Sequence, residues 1–202
     1  MPTTERCSRF ADSRDKALEL FASKGFGQVG MRELAAYLGL TPGSLYHHYP
    51  SKQHLLLDLI EEFYEELLAT LARVERRRSL DRLQPLIQAH LKLHQDMPWH
   101  FRLVERDSSC LNEEQQAQVR QLQLGYEQRL IRVLCPVSSL SEPALQAAGH
   151  AIASLLNNAP GWLQHHPLPP QPRRQQPNRQ PGQPQRQNVE QGHHPDPLAE
   201  NR

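Results

Sequence analysis

The chain has 202 residues, a formal net charge of +1 and three widely spaced cysteines, Cys7, Cys110 and Cys135. That length allows one large domain or two small ones with a real core. The cysteines form no CxxC pair and are odd in number, which speaks against a disulfide framework or a zinc site. No apolar run reaches the roughly 18 residues of a membrane span, and the N-terminus has no apolar stretch of the secretory kind, so a cytoplasmic location is expected, with no membrane partner.

Periodicity predicts helices throughout, beginning with one over about 8–24 that carries Phe10, Ala17, Leu18, Phe21 and Ala22 largely on one face. Gly25 stands where a left-handed C-terminal cap is wanted. A second helix starts near Met31, with Leu34, Ala35 and Leu38 as its buried stripe, and Gly39 ends it. Thr41 can cap the third helix, because its hydroxyl accepts from first-turn N–H groups. Pro42 suits the first helical position, where no N–H is needed, and Pro50 stops the helix. Two short helices joined by a tight turn over 31–52 have the shape of a helix-turn-helix, whose second helix enters the DNA major groove. The near-neutral charge does not argue against this, since a specific reader needs only a local basic patch.

Ser51 is placed to cap a long fourth helix that carries Leu55, Leu59, Ile60, Phe63, Leu67, Leu71 and Val74 and ends in the basic run 76–78. Further helices are predicted at about 81–97, 99–107, 112–134 and 142–164, with Asn112 and Gln115 as a capping box for the third of these. The last is rich in alanine, with Ala144, Ala147, Ala148, Ala151 and Ala153. Small residues let helices approach closely, so it offers a two-fold dimer surface or, alternatively, the interior helix of one subunit. From His165 onward Pro, Gln and Arg dominate and large apolar residues almost vanish, so the segment is read as disordered.

The run from Ala17 to Lys52 resembles the N-terminal domain of the tetracycline-repressor (TetR) family. The residues that carry the resemblance are Ala17, Phe21, Gly25, Phe26, Leu34, Ala35, Leu38, Gly39, Leu40, Thr41, Gly43, Leu45, Tyr46, His48, Tyr49, Ser51 and Lys52. It implies an all-α fold of about nine helices, a DNA-binding domain at 8–53, a helical ligand-binding and dimerisation domain at 54–164, and leaves 165–202 as a tail. Two departures stand out. Val29 and Gly30 occupy the loop where the family usually offers Thr or Ser, so one phosphate contact has no hydroxyl. A single Ala-rich helix is followed by the tail where the family has a final helix pair, so either the dimer bundle is reduced or the tail replaces a lost element.

Candidate DNA-contacting residues are Arg32, Thr41, Pro42, Gly43, Ser44, Tyr46, His47 and Lys52. Thr41, Ser44 and Tyr46 offer hydroxyls to phosphates, Gly43 leaves room for backbone approach, Lys52 is a phosphate contact, and Pro42, Ser44 and His47 are nearest to base edges. His48 and Tyr49 are expected to pack against helices one and four. The resemblance further implies a homodimer on a palindromic double-stranded operator and a small-molecule effector. Leu86, His90, Leu93, Met97, Trp99, Phe101, Leu103, Tyr126 and Trp162 form the expected pocket wall, suited to a largely apolar ligand, and the same residues could equally be core. A repressor released by its effector is the main reading, and an activator or ligand-independent regulator is the second. A metal-binding helical enzyme is the remote one. It rests on His90 and His94, four apart on one helix face, with His100 or Glu105 near. No HExxH, nucleophile elbow, phosphate loop or dinucleotide fingerprint is present, so neither enzyme, cofactor nor metal is expected.

Overall fold

The computed structural model describes residues 3–77 and 81–159, with side chains described from Asp12 onward. Eight α-helices and two 3-10 turns make up the described part, and no strand occurs among the described residues. The helices are α1 (Thr3–Lys24), α2 (Met31–Tyr37), α3 (Pro42–His48), α4 (Lys52–Glu75), α5 (Leu83–Asp96), α6 (Pro98–Asp107), α7 (Glu113–Leu134) and α8 (Glu142–Asn157). The 3-10 turns are Phe26–Gln28 and Ser108–Cys110. The all-α expectation holds. Helix α8 ends at Asn157, short of the expected 164, where Asn158 leaves helical geometry as its C-cap; the expected tail lies outside the described residues.

Local chemistry explains most boundaries. Gly39 ends α2 with φ +69°, and the Leu40 N–H reaches Ala35 O (2.8 Å) while the Gly39 N–H reaches Ala36 O (3.1 Å), the paired bonds of a Schellman motif. Thr41 caps α3, its hydroxyl accepting from the Ser44 N–H at 3.1 Å, and Pro42 sits at the first helical position. Asn112 and Gln115 form the expected capping box on α7. Gly25 differs from expectation. Its N–H closes α1 on Phe21 O at 2.8 Å and its φ of 97° needs glycine, but its ψ of 133° is extended rather than left-handed helical, because the chain goes straight into a 3-10 turn.

Helix α4 is the spine. It packs against α5, α6 and α7, while α1 lies on α6 and α8 lies on α7 and α5. One continuous apolar cluster runs from Ala17, Phe21 and Leu34 through Leu55, Leu59 and Phe63 to Leu86, Leu103, Leu130 and Leu156. Helices α7 and α8 meet at Gly149, where an added Cβ would stand 2.9 Å from the Glu127 carbonyl oxygen. Beside this crossing the buried Glu127 carboxylate accepts from Gln123 Nε2 at 2.9 Å and lies 2.9 Å from His150 Nδ1.

The close approach at Gly149 predicts that Gly149→Ala lowers unfolding stability by about 1–3 kcal/mol, the usual cost of forcing a methyl into a packed contact. Urea unfolding checks it, and a variant as stable as the parent would show that α8 is not held at this distance in solution.

Candidate functional site

Helix α3 is tied to the body by few anchors. Leu45 is its one fully buried residue, at 2% exposure. Just past its end, the half-buried Tyr49 donates its hydroxyl proton to Asp58 Oδ2 at 2.7 Å. Asp58 also lies 3.1 Å from Arg14 Nε, close but out of hydrogen-bond alignment, while Arg14 Nη2 donates to Glu62 at 2.8 Å. This network pins the end of α3 to α1 and α4. The rest of α3 faces outward.

Seven of the eight candidate DNA contacts lie on α2 and α3 or at the α3 cap. Arg32, Thr41, Pro42, Gly43, Tyr46 and His47 are exposed, and Ser44 is half-buried beneath the Thr41 cap. Tyr46 is half exposed, at 50%. A Cβ on Gly43 would meet nothing within 4 Å, so packing within the chain does not require glycine there. His48 is exposed rather than packed inside, although its ring lies edge-on to His47 with centroids 5.6 Å apart.

Lys52 is not presented as a free phosphate contact. Its ammonium donates to the carbonyls of Phe26 and Val29, both at 2.6 Å, and sits 4.2 Å above the Phe26 ring. Burial lowers its pKa, while Asp107 and Cys110 oppose the shift. Its position at the start of α4 reads as a surface lysine in sequence, and only the fold brings the carbonyls of Phe26 and Val29 within its reach. Glu33 was likewise missed. It pairs with Lys24 at 2.6 Å, and the Lys24 bond and charge, together with the Gly30 N–H, lower its pKa. The Gly30 cap, which has no hydroxyl of its own, is thus served by the carboxylate three residues on.

The expected pocket wall divides. Leu86, His90, Leu93, Leu103 and Tyr126 are buried, and Met97 and Phe101 pack partly buried against the core. Trp99 is 39% exposed at the start of α6 and does not belong to the interior. Trp162 lies outside the described residues. The buried members fill space rather than border it. A cavity of about 640 Å³ forms an open groove between α4 and α5 whose walls include Thr70, Val74, Ala89 and Arg73, and of the expected residues only Leu93 and Met97 reach it.

The histidines do not assemble a metal site. His94 stacks on Phe101 (centroids 3.5 Å) and its Nε2 lies 3.1 Å from Leu156 O. His90 lies edge-on to Phe101, and His100 turns to the other side of α6, where its Nε2 lies 3.8 Å from Glu62. Among the described residues no three His, Cys, Asp or Glu side chains converge on a metal position. His90 Nε2, His100 Nε2 and Tyr126 Oη are buried without hydrogen-bond partners.

Desolvation pushes His90 and His100 down to a pKa of about 4 from the ordinary 6.5. For His90 the charge of His94 adds to the burial, and for His100 that of Arg14 does. Below pH 6.5 the unfolded chain takes up these protons and the folded chain does not, so stability should fall from pH 6.5 to 4, by about 3 kcal/mol for each residue. Replacing His90 by leucine removes its share. Urea unfolding of His90→Leu and its parent should therefore diverge in the variant's favour by about that amount between pH 7 and 4. Parallel pH curves would show that His90 is not held neutral by burial.

Residues 14–59 match the model of the bacterial regulatory proteins of the tetR family. The HTH-type transcriptional repressor KstR2 of Mycobacterium tuberculosis is 32% identical over 84 residues, which are 41% of this chain and 42% of that protein. The chain thus spans less than half the length of the curated relatives it first matches. A bacterial regulatory protein of the tetR family from Rhodococcus RHA1 has a similar solved structure, at TM-score 0.61 and 28% identity over 75% of this chain and 82% of that one. The fold is also that of AibR, solved in complex with isovaleryl coenzyme A and operator DNA (TM-score 0.64, 19% identity, 76% of this chain and 86% of that one). No helix of the described residues is long and apolar enough to cross a membrane.

Proposed function

Because the chain belongs to the tetR family of bacterial regulatory proteins, we propose that it is a dimeric transcriptional repressor that a small, largely apolar effector releases from a palindromic operator. The observation that carries this reading is the presentation of α3. Leu45 and Tyr49 anchor it, and Pro42, Gly43, Tyr46 and His47 project into solvent from a cap fixed by Thr41. A helix held at its base and open along its outer surface is what the major groove admits. Arg32 and Tyr46 would position the backbone and His47 would read a base edge. The AibR complex gives a precedent on the same fold for operator and small molecule together.

The dimer reading is supported by α8. Ala147, Ala151 and Leu155 are exposed on one side of it, and Ala144, Ala148 and Ile152 are half-buried beside them. Leu155 is 62% exposed, and a second copy packed on that small-residue stripe would cover it. Two recognition helices would then meet successive major grooves about 34–36 Å apart. The effector would enter among α4 to α8, where His90 and Tyr126 offer polar atoms in an apolar surround. It need only favour the DNA-free arrangement, and a differential affinity of about 10⁴ moves the balance from 1:99 to 99:1.

Duplexes selected from a random library by the full chain test the reading. A palindromic site should emerge, and Arg32→Ala should weaken binding at all sequences and lower the salt slope by about one. Tyr46→Ala should weaken binding without changing the preferred sequence, whereas His47→Ala should change it. Selection that recovers no duplex would overturn the proposal, and so would an Arg32→Ala, Tyr46→Ala double variant that binds as tightly as the parent.

A further inference from the structure

We propose that Asp107, acting through Arg106, is a clasp by which α6 sets the position of the helix-turn-helix, a role that rests on the reading of α2 and α3 as the DNA-contacting pair. The last turn of α1 and the turn that follows it present main-chain carbonyls at the helix end, and those of Phe21 and Phe26 each accept one backbone N–H, from Gly25 at 2.8 Å and from Val29 at 3.3 Å. Two cations bind four carbonyls of this stretch. Arg106 Nη2 donates to Phe21 O at 2.6 Å and Nη1 to Ala22 O at 3.2 Å, from 85 and 84 residues away in sequence. Lys52 Nζ takes Phe26 O and Val29 O, both at 2.6 Å. Positive charge at the carboxyl end of α1 is also favoured by the helix dipole.

Asp107 orients the first of these cations. Its buried carboxylate, 4% exposed, receives Arg106 on both oxygens, Nε to Oδ1 at 3.0 Å and Nη2 to Oδ2 at 2.7 Å. The planar fork of arginine is thereby held in one orientation, with Nη1 free to reach the helix end. An isolated surface ion pair is worth little. This one differs, because the carboxylate is buried and the guanidinium continues into main-chain carbonyls of another element. Any shift of the end of α6 is passed to residues 21–29, and the next residue but one begins α2. Asp107 and Arg106 touch neither the exposed side of α3 nor the groove between α4 and α5, so the role is positioning rather than contact.

Asp107→Asn keeps the shape and removes the charge. An Arg106→Ala change would strand a buried carboxylate and risk unfolding, so Arg106→Gln combined with Asp107→Asn serves as the second variant. Three measurements on the full chain decide the matter: thermal melting, amide hydrogen exchange by residue, and affinity for a duplex selected by the parent. In either folded variant, exchange over residues 22–30 should quicken about tenfold with α7 and α8 unchanged, and duplex affinity should fall about tenfold at fixed salt. Unchanged exchange over 22–30 overturns the clasp. So does an increase spread evenly over all helices, which marks a plain stability role, or faster local exchange with unaltered affinity. A parent that selects no duplex sinks the DNA-reading premise, and in that event the exchange result alone still decides whether α6 holds this segment.

Discussion

The structure depends above all on the burial of α4 along its whole length. An ordinary surface helix buries one stripe, but α4 buries adjacent pairs, Leu55 with Leu56, Leu59 with Ile60 and Phe63 with Tyr64, whose side chains leave the axis about 100° apart. Two sides of one helix are therefore dry. Asp58 and Glu62, at its first half, take the Arg14 and Tyr49 contacts that fix α1 and the end of α3. Phe63, at its middle, meets Phe101 of α6 edge-on at 4.7 Å. Its last turns carry the ion pairs Arg73 with Glu66 and Arg129 with Glu75. A close-packed interior does not absorb displacement locally, so α4 cannot move at one end without moving the other.

Most of the architecture was legible because it is written locally. Caps and stops sit at fixed offsets: Thr41 and Pro42 at the start of α3, Gly39 at the end of α2, Asn112 and Gln115 at the start of α7. Apolar spacing supplied the rest, and it placed Leu34, Leu59, Ile60 and Phe63 on buried stripes, as they are. What was not legible is non-local. Lys52 reads as a surface cation until residues 26 and 29 are folded back beneath it. Arg106 finds its acceptors 84 residues away, and Gly149 owes its identity to a carbonyl on another helix. Trp99 fails for the opposite reason. Its size argues for burial, but it follows Pro98 in the first turn of α6, and the side of that turn facing the core is taken by His100.

The helices from α5 onward carry a cost that their packing does not remove. His90, His100 and Tyr126 each bury a polar atom without a partner, and an unmet buried hydrogen-bonding group costs about 1–3 kcal/mol. They do not lie at one point. His90 belongs with Phe101 and His94 beside α8, while His100 faces Glu62 and Arg14 on the α1 side of α6. Helix α6 is thus flanked on both sides by imidazoles held neutral by burial. An alternative packing that gave either one a partner would recover energy, and the element that would have to move is the one whose far end grips α1.

The outer face shows how the two halves divide the available charge. Lys24 is paired with Glu33, Arg14 with Asp58 and Glu62, and Lys52 is turned onto two carbonyls. The basic side chains that α2 and α3 carry outward are Arg32, His47 and His48. Fixed cations near the recognition helix therefore serve mainly to orient it, and few are left to neutralise phosphates. A surface so composed gains less from counterion release than a lysine-rich one. On the proposed reading, its hold on a duplex would rest more on hydroxyl, imidazole and main-chain contacts, which need accurate placement. The α1–α6 contact and the Tyr49–Asp58 bond would supply that placement, so rigidity of α2 and α3 would take the part that excess positive charge plays elsewhere.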